Sequence, residues 1–388
     1  MITHVERALH VPGLVNARDL GGLPLRGGGT TPRGVFFRSE SVDWVRPEGW
    51  ERLRAAGIRT VVDLRQPEER EKDVHERPAW LTTVPVDLDN LENTEFWADY
   101  WDNGLVGTAL YYLPHLEAMP ERMGAVLSAL AKAPSGGVLF HCAGGRDRTG
   151  LVSMVLLRAA GVEPDAIIDD YLETVRLGEE RATATGVPNA EERIEAFLAE
   201  RGTTTEGAFR DAVTGLDVDR VIVDSGVAPS VIRAVRTWRG TLPMPRRAAR
   251  VLLLDEAGRV LLMRGTDSSQ PAGFSWWFTP GGGIEGTETM LEAAARELQE
   301  ETGLREATLE GPVFERVADM VFEGVAIRQT EEYFVARTTN FDPDDTGWTE
   351  LERRTLLGTR WWSATELDET PDVVYPPGLG ELVRSLLP

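Results

Sequence analysis

Hydrophobic positions along this chain change texture partway through. In the first part, short apolar runs alternate with longer helix-spaced stretches. Ile58-Arg59-Thr60-Val61-Val62-Asp63-Leu64 and Gly137-Val138-Leu139-Phe140 read as strands, and Leu151-Val152-Ser153-Met154-Val155-Leu156-Leu157 reads as a buried helix. A helical stretch over about 109–133, interrupted by Pro114 and Pro120, leads into the second strand, and 163–238 reads as polar-rich helix covering the core. The alternation predicts an α/β domain over residues 1–240. The segment Gly240-Thr241-Leu242-Pro243-Met244-Pro245 breaks both patterns, so 241–246 is expected to be a linker. After it, Arg250-Val251-Leu252-Leu253-Leu254 and Arg259-Val260-Leu261-Leu262-Met263 flank the turn-forming Asp255-Glu256-Ala257-Gly258 and predict a hairpin. A helix follows, with Thr287 expected to cap its start, Gly303 to end it, and Leu291, Ala294, Ala295 and Leu298 to form its buried stripe. Residues 247–388 are expected to be a second domain.

Length and charge narrow the classes. A chain of 388 residues exceeds one ordinary domain. A formal net charge of −22 argues against wrapping a nucleic-acid backbone or lying on an anionic membrane, so any phosphate must be held by local loops. The start Met1-Ile2-Thr3-His4-Val5-Glu6-Arg7 has neither the apolar core of a signal peptide nor membrane-spanning length. With one cysteine there is no intrachain disulfide, and a reducing cytoplasm is the expected location.

That cysteine, Cys142, sits in His141-Cys142-Ala143-Gly144-Gly145-Arg146-Asp147-Arg148-Thr149-Gly150, between a strand and a helix. Such a loop aims backbone N–H groups and the positive end of a helix dipole into one small space, which holds a phosphate-sized anion. The same field favours a thiolate, which is nucleophilic toward phosphorus. Ala143, Gly144, Gly145, Arg146, Arg148 and Thr149 are the candidate phosphate-binding positions. Arg148 can grip two phosphate oxygens with its planar fork, and Thr149 can hydrogen-bond the departing thiolate. Asp147 is the nearest carboxylate to protonate a leaving group, with Asp87, Asp89, Asp99 and Asp102 as competitors upstream. Asp63 is expected to order the loop from its strand end.

The run from Cys142 to Arg148 resembles the Cys-x5-Arg loop of the protein tyrosine phosphatase superfamily, and in particular its bacterial tyrosine/lipid phosphatase branch. Asn16-Ala17-Arg18-Asp19-Leu20-Gly21-Gly22 and Gly57-Ile58-Arg59-Thr60-Val61-Val62-Asp63-Leu64-Arg65 fit the same branch. The resemblance implies Cys142 as nucleophile, Arg148 as phosphate ligand, Asp147 as general acid, and no cofactor at this site. The sequence departs from the pattern at Arg146, where the branch usually has lysine. Protein, lipid-headgroup and small phosphoesters therefore all stand as substrate classes.

The second chemical run spans Gly282 to Leu304. On its helix, Glu297, Glu300 and Glu301 lie at i, i+3 and i+4, so three carboxylates share a face and repel unless a cation neutralises them. Hard divalent ions do this and also bridge phosphates. The run resembles the Nudix box, Gly-x5-Glu-x7-Arg-Glu-U-x-Glu-Glu-x-Gly-U, where U is bulky and aliphatic. Gly282, Glu288, Arg296, Glu297, Leu298, Glu300, Glu301, Gly303 and Leu304 meet its fixed positions. The resemblance implies an α/β/α sandwich with a mixed sheet, and Mg2+ or Mn2+ on Glu297, Glu300 and Glu301, joined by the Gly281 carbonyl. It also implies that Glu288 and Arg296 brace the loop, and that the reaction is hydrolysis of a nucleoside diphosphate linked to another group. Trp276, Trp277, Phe278 and Arg328 are candidate substrate-side groups, and Glu331, Glu332, Glu350 and Glu352 candidate further acids.

The expected function is a bifunctional phosphohydrolase whose second domain makes the phosphomonoester class that the first consumes. The alternative is a protein or phosphoinositide phosphatase controlled by a nucleotide-sensing second domain. Expected partners are small phosphorylated or nucleotide substrates, a phosphoprotein or a phospholipid headgroup, with no membrane insertion.

Overall fold

Strand side chains alternate between the two faces of a sheet, and a strand covered on both faces becomes a continuous apolar run. The strand that leads into Cys142 is of this kind. The computed structural model describes residues 7–73, 76–101, 103–268, 270–271 and 273–387; residues 1–6 and Asp102, named above, lie outside them. The chain divides into two units, Met1–Leu242 and Pro243–Pro388. In the first, β1 (Arg18–Asp19), β2 (Phe36–Ser39), β3 (Ile58–Asp63), β4 (Thr82–Pro85) and β5 (Gly137–His141) form a sheet of order β1-β2-β5-β3-β4. All pairs are parallel except β1 with β2. From central β5, Val138 and Phe140 pack with Phe36, Val62 and the helices Pro120–Lys132 and Asp147–Ala159, while Leu139 packs with Phe37, Val61 and Leu53 on the other side.

The stretch over 109–133 is a 3-10 turn, Ala109–Tyr111, then helices Tyr112–Ala118 and Pro120–Lys132. Pro120 occupies the first turn of the second, where its missing N–H would have had no helical partner. Helices Pro164–Arg176, Gly178–Thr185, Glu191–Ala199, Thr205–Gly215, Val218–Asp224 and Pro229–Arg236 follow. Asp170, fully buried on the first of these, pairs with Arg7 at 2.8 Å, Arg18 at 2.9 Å and Arg38 at 2.7 Å. Burial alone would raise the Asp170 carboxyl, but the three guanidiniums hold it well below the usual carboxylate range.

In the second unit, β6 (Met244–Leu254), β7 (Val260–Gly265), β8 (Trp276–Phe278), β9 (Glu310–Phe322), β10 (Val325–Arg337), β11 (Leu356–Trp362) and β12 (Val373–Tyr375) form one sheet. Its order is β12-β8-β7-β6-β10-β9, with β11 also on β7. The β6–β10 and β8–β12 pairs are parallel and the others antiparallel, so the sheet is mixed. Ala249, Val251 and Leu253 of β6 face the helix Met290–Thr302, and Leu252 and Leu254 face Leu379 and Val383 of the helix Leu379–Ser385. The result is an α/β/α sandwich. Among the described residues, no helix is long and apolar enough to cross a membrane.

Three local expectations change. Met244, Pro245 and Arg246 belong to β6 and not to a linker. There β6 pairs with β10, and β7 joins it only at Leu254 and Val260, so a proline near the strand start is tolerated. The helix begins after Thr289 and not Thr287, because Thr289 and Glu292 close a reciprocal capping box. Its buried side carries Met290, Ala293, Ala294 and Leu298 together with Glu297 and Glu301, while Leu291 and Ala295 are exposed. The carboxylates thus share the inward face instead of lying on a separate one.

His115 makes the first unit acid-sensitive. It is buried among Phe96, Trp97 and Tyr111, its Nε2 bonds the Leu88 carbonyl at 3.0 Å, and its Nδ1 has no partner. Burial, reinforced by Arg122, lowers its pKa to about 4. The unfolded ring takes a proton near its ordinary value, about 6.5, before the folded ring does, so stability is fully present above that value. It falls by up to about 3 kcal/mol as the pH drops to the folded value. Hydrogen exchange of the amides of Pro120–Lys132 in the full chain should show this slope, and His115→Phe should remove it.

Candidate functional site

A loop between central β5 and the helix Asp147–Ala159 brings Cys142 to the carboxyl ends of the parallel strands. The loop carbonyls are taken by donors outside it. Ser41 N–H donates to Ala143 O at 2.9 Å, Arg181 Nη1 to Gly144 O at 2.5 Å, and Arg38 Nη2 to Gly145 O at 2.8 Å. Asn16 Nδ2 also donates to Gly145 O, at 3.4 Å. A trans peptide sets its N–H opposite its C=O, so carbonyls turned outward turn the N–H groups of Gly144, Gly145 and Arg146 inward. Gly145 has φ +68°, and a Cβ there would lie 2.5 Å from Ser39 O, so the approach of the loop to β2 requires glycine.

Cys142 is buried, and the Thr149 hydroxyl donates to its Sγ at 3.2 Å. Arg148 donates through both Nη atoms to Glu69, at 2.9 Å from Nη2 to Oε1, and to Asp89 Oδ2 at 3.1 Å. Glu69 lies on the short helix Pro67–Arg70 and is held by a capping box with Gln66, whose Nε2 donates to Asp89 at 2.8 Å. Burial would raise Glu69, and Arg148 holds it below the ordinary glutamate range. Asp89 goes the other way, because its deeper burial outweighs Arg148 and the carboxyl is raised.

Sequence reasoning marked Cys142, Arg148 and Thr149, and the structure gathers them at one end of the loop formed by Ala143, Gly144 and Gly145. Arg146 differs, since its guanidinium donates to Glu191 at 2.8 and 2.9 Å, to the Gly107 carbonyl, and to Asp147 Oδ1 at 3.0 Å. It also lies 5.5 Å from the Tyr171 ring centre. A buried guanidinium needs its donors satisfied, and this outer shell satisfies them; only the Arg146 backbone N–H faces the loop interior. Asp147 opens the helix half-buried, and its carbonyl accepts from the Tyr112 hydroxyl at 2.9 Å. Of the competing acids, Asp87 accepts from the N–H groups of Asp89 and Asn90, and Asp99 is exposed. Asp63 holds Arg65 at 2.8 Å, which in turn reaches Asp43. Glu69 and Glu191 were missed; the only local signal for Glu69 was the cap-like Gln66-Pro67-Glu68-Glu69 after β3.

In the second unit, Glu297 and Glu301 lie buried one turn apart on the helix Met290–Thr302. The Gly281 N–H donates to Glu301 at 2.6 Å, and a Cβ on Gly282 would fall 2.3 Å from Glu297 Oε1, so glycine admits that carboxylate. Arg296 donates to Glu288 at 2.8 Å, to Gly283 O at 3.0 Å, and to Glu297 and Glu300 at 3.0 Å each. Glu352, from the helix Glu350–Thr355, completes a cluster with Glu297 and Glu301 whose ligand oxygens all lie within 4.8 Å of one another. Glu300 stands on Arg296 outside that cluster, and the Gly281 carbonyl accepts from Arg250 at 2.5 Å. Burial raises Glu297, and burial with the neighbouring Glu297 raises Glu301 well above the ordinary range. Such a donor set fits a hard divalent cation.

Glu331 is locked between Arg250 and Arg316 and lowered to about 2: burial opposes this, and Arg250 with Arg316 overcomes it. Glu332 stands 3.8 Å from Arg247, and Glu350 is exposed. Trp277 is buried against Trp362, and Arg328 pairs with Asp319 at the surface. Trp276 and Phe278 open on a cavity beside the carboxylates.

Comparison with known proteins agrees with both halves. A Cupriavidus necator protein named as a tyrosine-protein phosphatase is 32% identical over 164 residues, which is 41% of this chain and 60% of that one. The triple specificity protein phosphatase PtpB of Mycobacterium tuberculosis is 28% identical over 221 residues, 47% of this chain and 76% of that one. An RNA pyrophosphohydrolase of Erythrobacter litoralis is 30% identical over 141 residues, 34% of this chain and 82% of that one. The chain therefore spans 60% of the length of the Cupriavidus relative. Residues 9–220 match the tyrosine phosphatase family and residues 244–379 the NUDIX domain, so the chain belongs to the tyrosine phosphatase family and carries a NUDIX domain behind it.

Proposed function

We propose that the chain is a cytoplasmic bifunctional hydrolase, with a cysteine-dependent phosphomonoesterase in residues 1–240 and a divalent-cation-dependent hydrolase of nucleoside diphosphate-linked substrates in residues 247–388. The observation that carries the first half is the Thr149 hydroxyl on Cys142 Sγ, inside a loop whose Arg148 fork is aimed by Glu69. The Cys142 thiolate attacks phosphorus, forming an S–P bond as the P–O bond to the leaving group breaks. Asp147 donates the proton that the leaving oxygen takes. Water then attacks the phosphocysteine, Asp147 accepts its proton, and the S–P bond breaks to release phosphate. Arg148 and the inward N–H groups bind the phosphoryl oxygens, most strongly as charge spreads over them. Asp89 is the second carboxyl in reach, because it contacts Arg148 and its burial favours the protonated form.

In the second half, Glu297, Glu301 and Glu352 would hold the cation. Bound there, Mg2+ or Mn2+ would lower the pKa of a water and neutralise pyrophosphate oxygens. Arg296 keeps Glu288, Glu297 and Glu300 in place, and Gly282 leaves room for Glu297. Cleavage of X–O–P–O–P–O–Y yields two phosphomonoesters, the class the first site would consume. Relatives named as phosphatases and as an RNA pyrophosphohydrolase support the two substrate classes separately.

Cys142→Ser should lower turnover of an aryl phosphate by about 10³-fold or more, with no burst of released phenol. Glu69→Gln should cost about 10- to 100-fold in kcat/KM by letting Arg148 drift. At the second site, Gly282→Ala should weaken Mn2+ binding by about 10- to 100-fold in titration calorimetry, and Glu352→Gln should weaken it more than Glu300→Gln does. To test the joint function, wild type, Cys142→Ser and Glu301→Gln are incubated with nucleoside diphosphate conjugates and Mg2+, and products are read by mass. A monophosphate that persists only in Cys142→Ser is the expected result. Its accumulation in wild type would overturn serial action and favour a separate phosphoprotein or phospholipid substrate for the first site.

A further inference from the structure

Three carbonyls of the Cys142 loop point away from the phosphate space, and each fixes the N–H of the following residue inside it. Ser41 N–H on Ala143 O sets the Gly144 N–H, Arg181 on Gly144 O sets the Gly145 N–H, and Arg38 with Asn16 on Gly145 O sets the Arg146 N–H. Two of these outer holds are locked in place by burial. Ser41 is buried and caps the 3-10 turn Val42–Trp44, and Arg38 is buried on β2 with its Nη1 on Asp170 at 2.7 Å.

Arg181 is different. It stands half-buried on the helix Gly178–Thr185, whose one buried residue is Gly178. The bond to Gly144 O is the one side-chain hydrogen bond that its guanidinium makes among the described residues. Burial raises the buried Glu40 carboxyl and Arg181 opposes this, but the Glu40 oxygens accept from the N–H groups of Val15 and Asn16 at 2.6 and 3.0 Å.

The peptide that Arg181 holds lies between two glycines. A peptide flip turns ψ of Gly144 and φ of Gly145 in opposite senses, and residues without a Cβ take either setting. Flipped, the Gly144 carbonyl would point at a bound anion and the Gly145 N–H would point away, so a donor would be exchanged for a repelling acceptor. A charged donor on the outward carbonyl opposes this, because it bonds more strongly than a neutral one.

We infer that Arg181 is a positioning residue of the phosphate loop: by donating to Gly144 O from outside, it keeps the Gly145 N–H turned toward the phosphoryl oxygens. The inference rests on the phosphatase reading of the first unit and adds to it a hold on the loop from a lightly buried helix. The helix before it, Pro164–Arg176, carries Asp170, which holds Arg38. Two successive helices thus govern neighbouring peptides of one loop.

Arg181→Ala, Arg181→Lys, Gly144→Ala and the double variant Gly144→Ala with Arg181→Ala test this in the full chain, with an aryl phosphate as substrate and tungstate as a phosphate-shaped anion. A Cβ on Gly144 would lie 2.6 Å from Arg181 Nη1 and meet no other residue, and Gly144 has no positive φ, so Gly144→Ala displaces the guanidinium without straining the backbone. Arg181→Ala and Gly144→Ala should each weaken tungstate inhibition and lower kcat/KM by about tenfold or more. The double variant should lie within about twofold of Arg181→Ala, because both changes remove the same bond. Arg181→Lys, which keeps a charged donor, should stay closer to wild type than Arg181→Ala does. Unchanged hydrogen exchange in Pro120–Lys132 shows that each variant is folded. Tungstate inhibition unaltered by Arg181→Ala, losses that multiply in the double variant, or a lysine no better than alanine would overturn the inference, while Cys142-dependent turnover by wild type upholds the phosphatase reading. If wild type shows no such turnover, that reading falls and the inference with it.

Discussion

Asp170 is one carboxylate among three guanidiniums, and the first unit is organised around it. Arg7 and Arg18 come from the N-terminal segment, Arg38 from β2, and Asp170 from a helix far along the chain. Burying charge is unfavourable unless partners compensate, so these segments must arrive together or not at all. Burial, with Arg38 and Arg7 beside it, lowers Arg18 to about 10, which still leaves it charged at neutral pH. The cluster carries more positive than negative charge, and it touches the loop directly, because Arg38 also donates to Gly145 O. A loop built to hold an anion is thus fastened to a buried cationic base. The Asn16-to-Gly22 stretch acquires a physical role here, since Asn16 and Arg18 sit in the same network.

Both sites solve a charge problem with borrowed partners. In the first, carboxylates steer arginines: Glu69 aims Arg148, and Glu191 draws Arg146 outward. In the second, Arg296 reaches Glu288, Glu297 and Glu300 and holds the loop to the helix. Glu297 and Glu301 stay buried and raised, which leaves them suited to a cation. Glycine sets the distances in both places, because Gly145 lets the first loop meet β2 and Gly282 lets Glu297 reach the second.

The chemistry was legible where it is written in short spacings. Cys142, Arg148 and Thr149 lie within one loop and the first turn of its helix, so their order along the chain nearly dictates their meeting. Glu297 and Glu301 share a helix face for the same reason, since 3.6 residues make a turn. Helix rotation was less legible: Leu291 reads as core by hydrophobicity, yet it is exposed because Glu297 and Glu301 face inward instead. Pattern reading assigns carboxylates to solvent, and a site that buries them inverts the assignment.

Sequence alone determined the two-part α/β architecture, the loop, and the helix that carries the acidic motif, because local periodicity and turn chemistry act over a few residues. Tertiary structure alone decided which distant groups complete them. It set Glu69 and Asp89 on Arg148, Glu352 with Glu297 and Glu301, and Asp170 under the loop. It also drew Arg246 out of an expected linker and into a strand. Each of these depends on strand order and on crossovers many residues long, which bring side chains together without leaving any spacing rule in the chain.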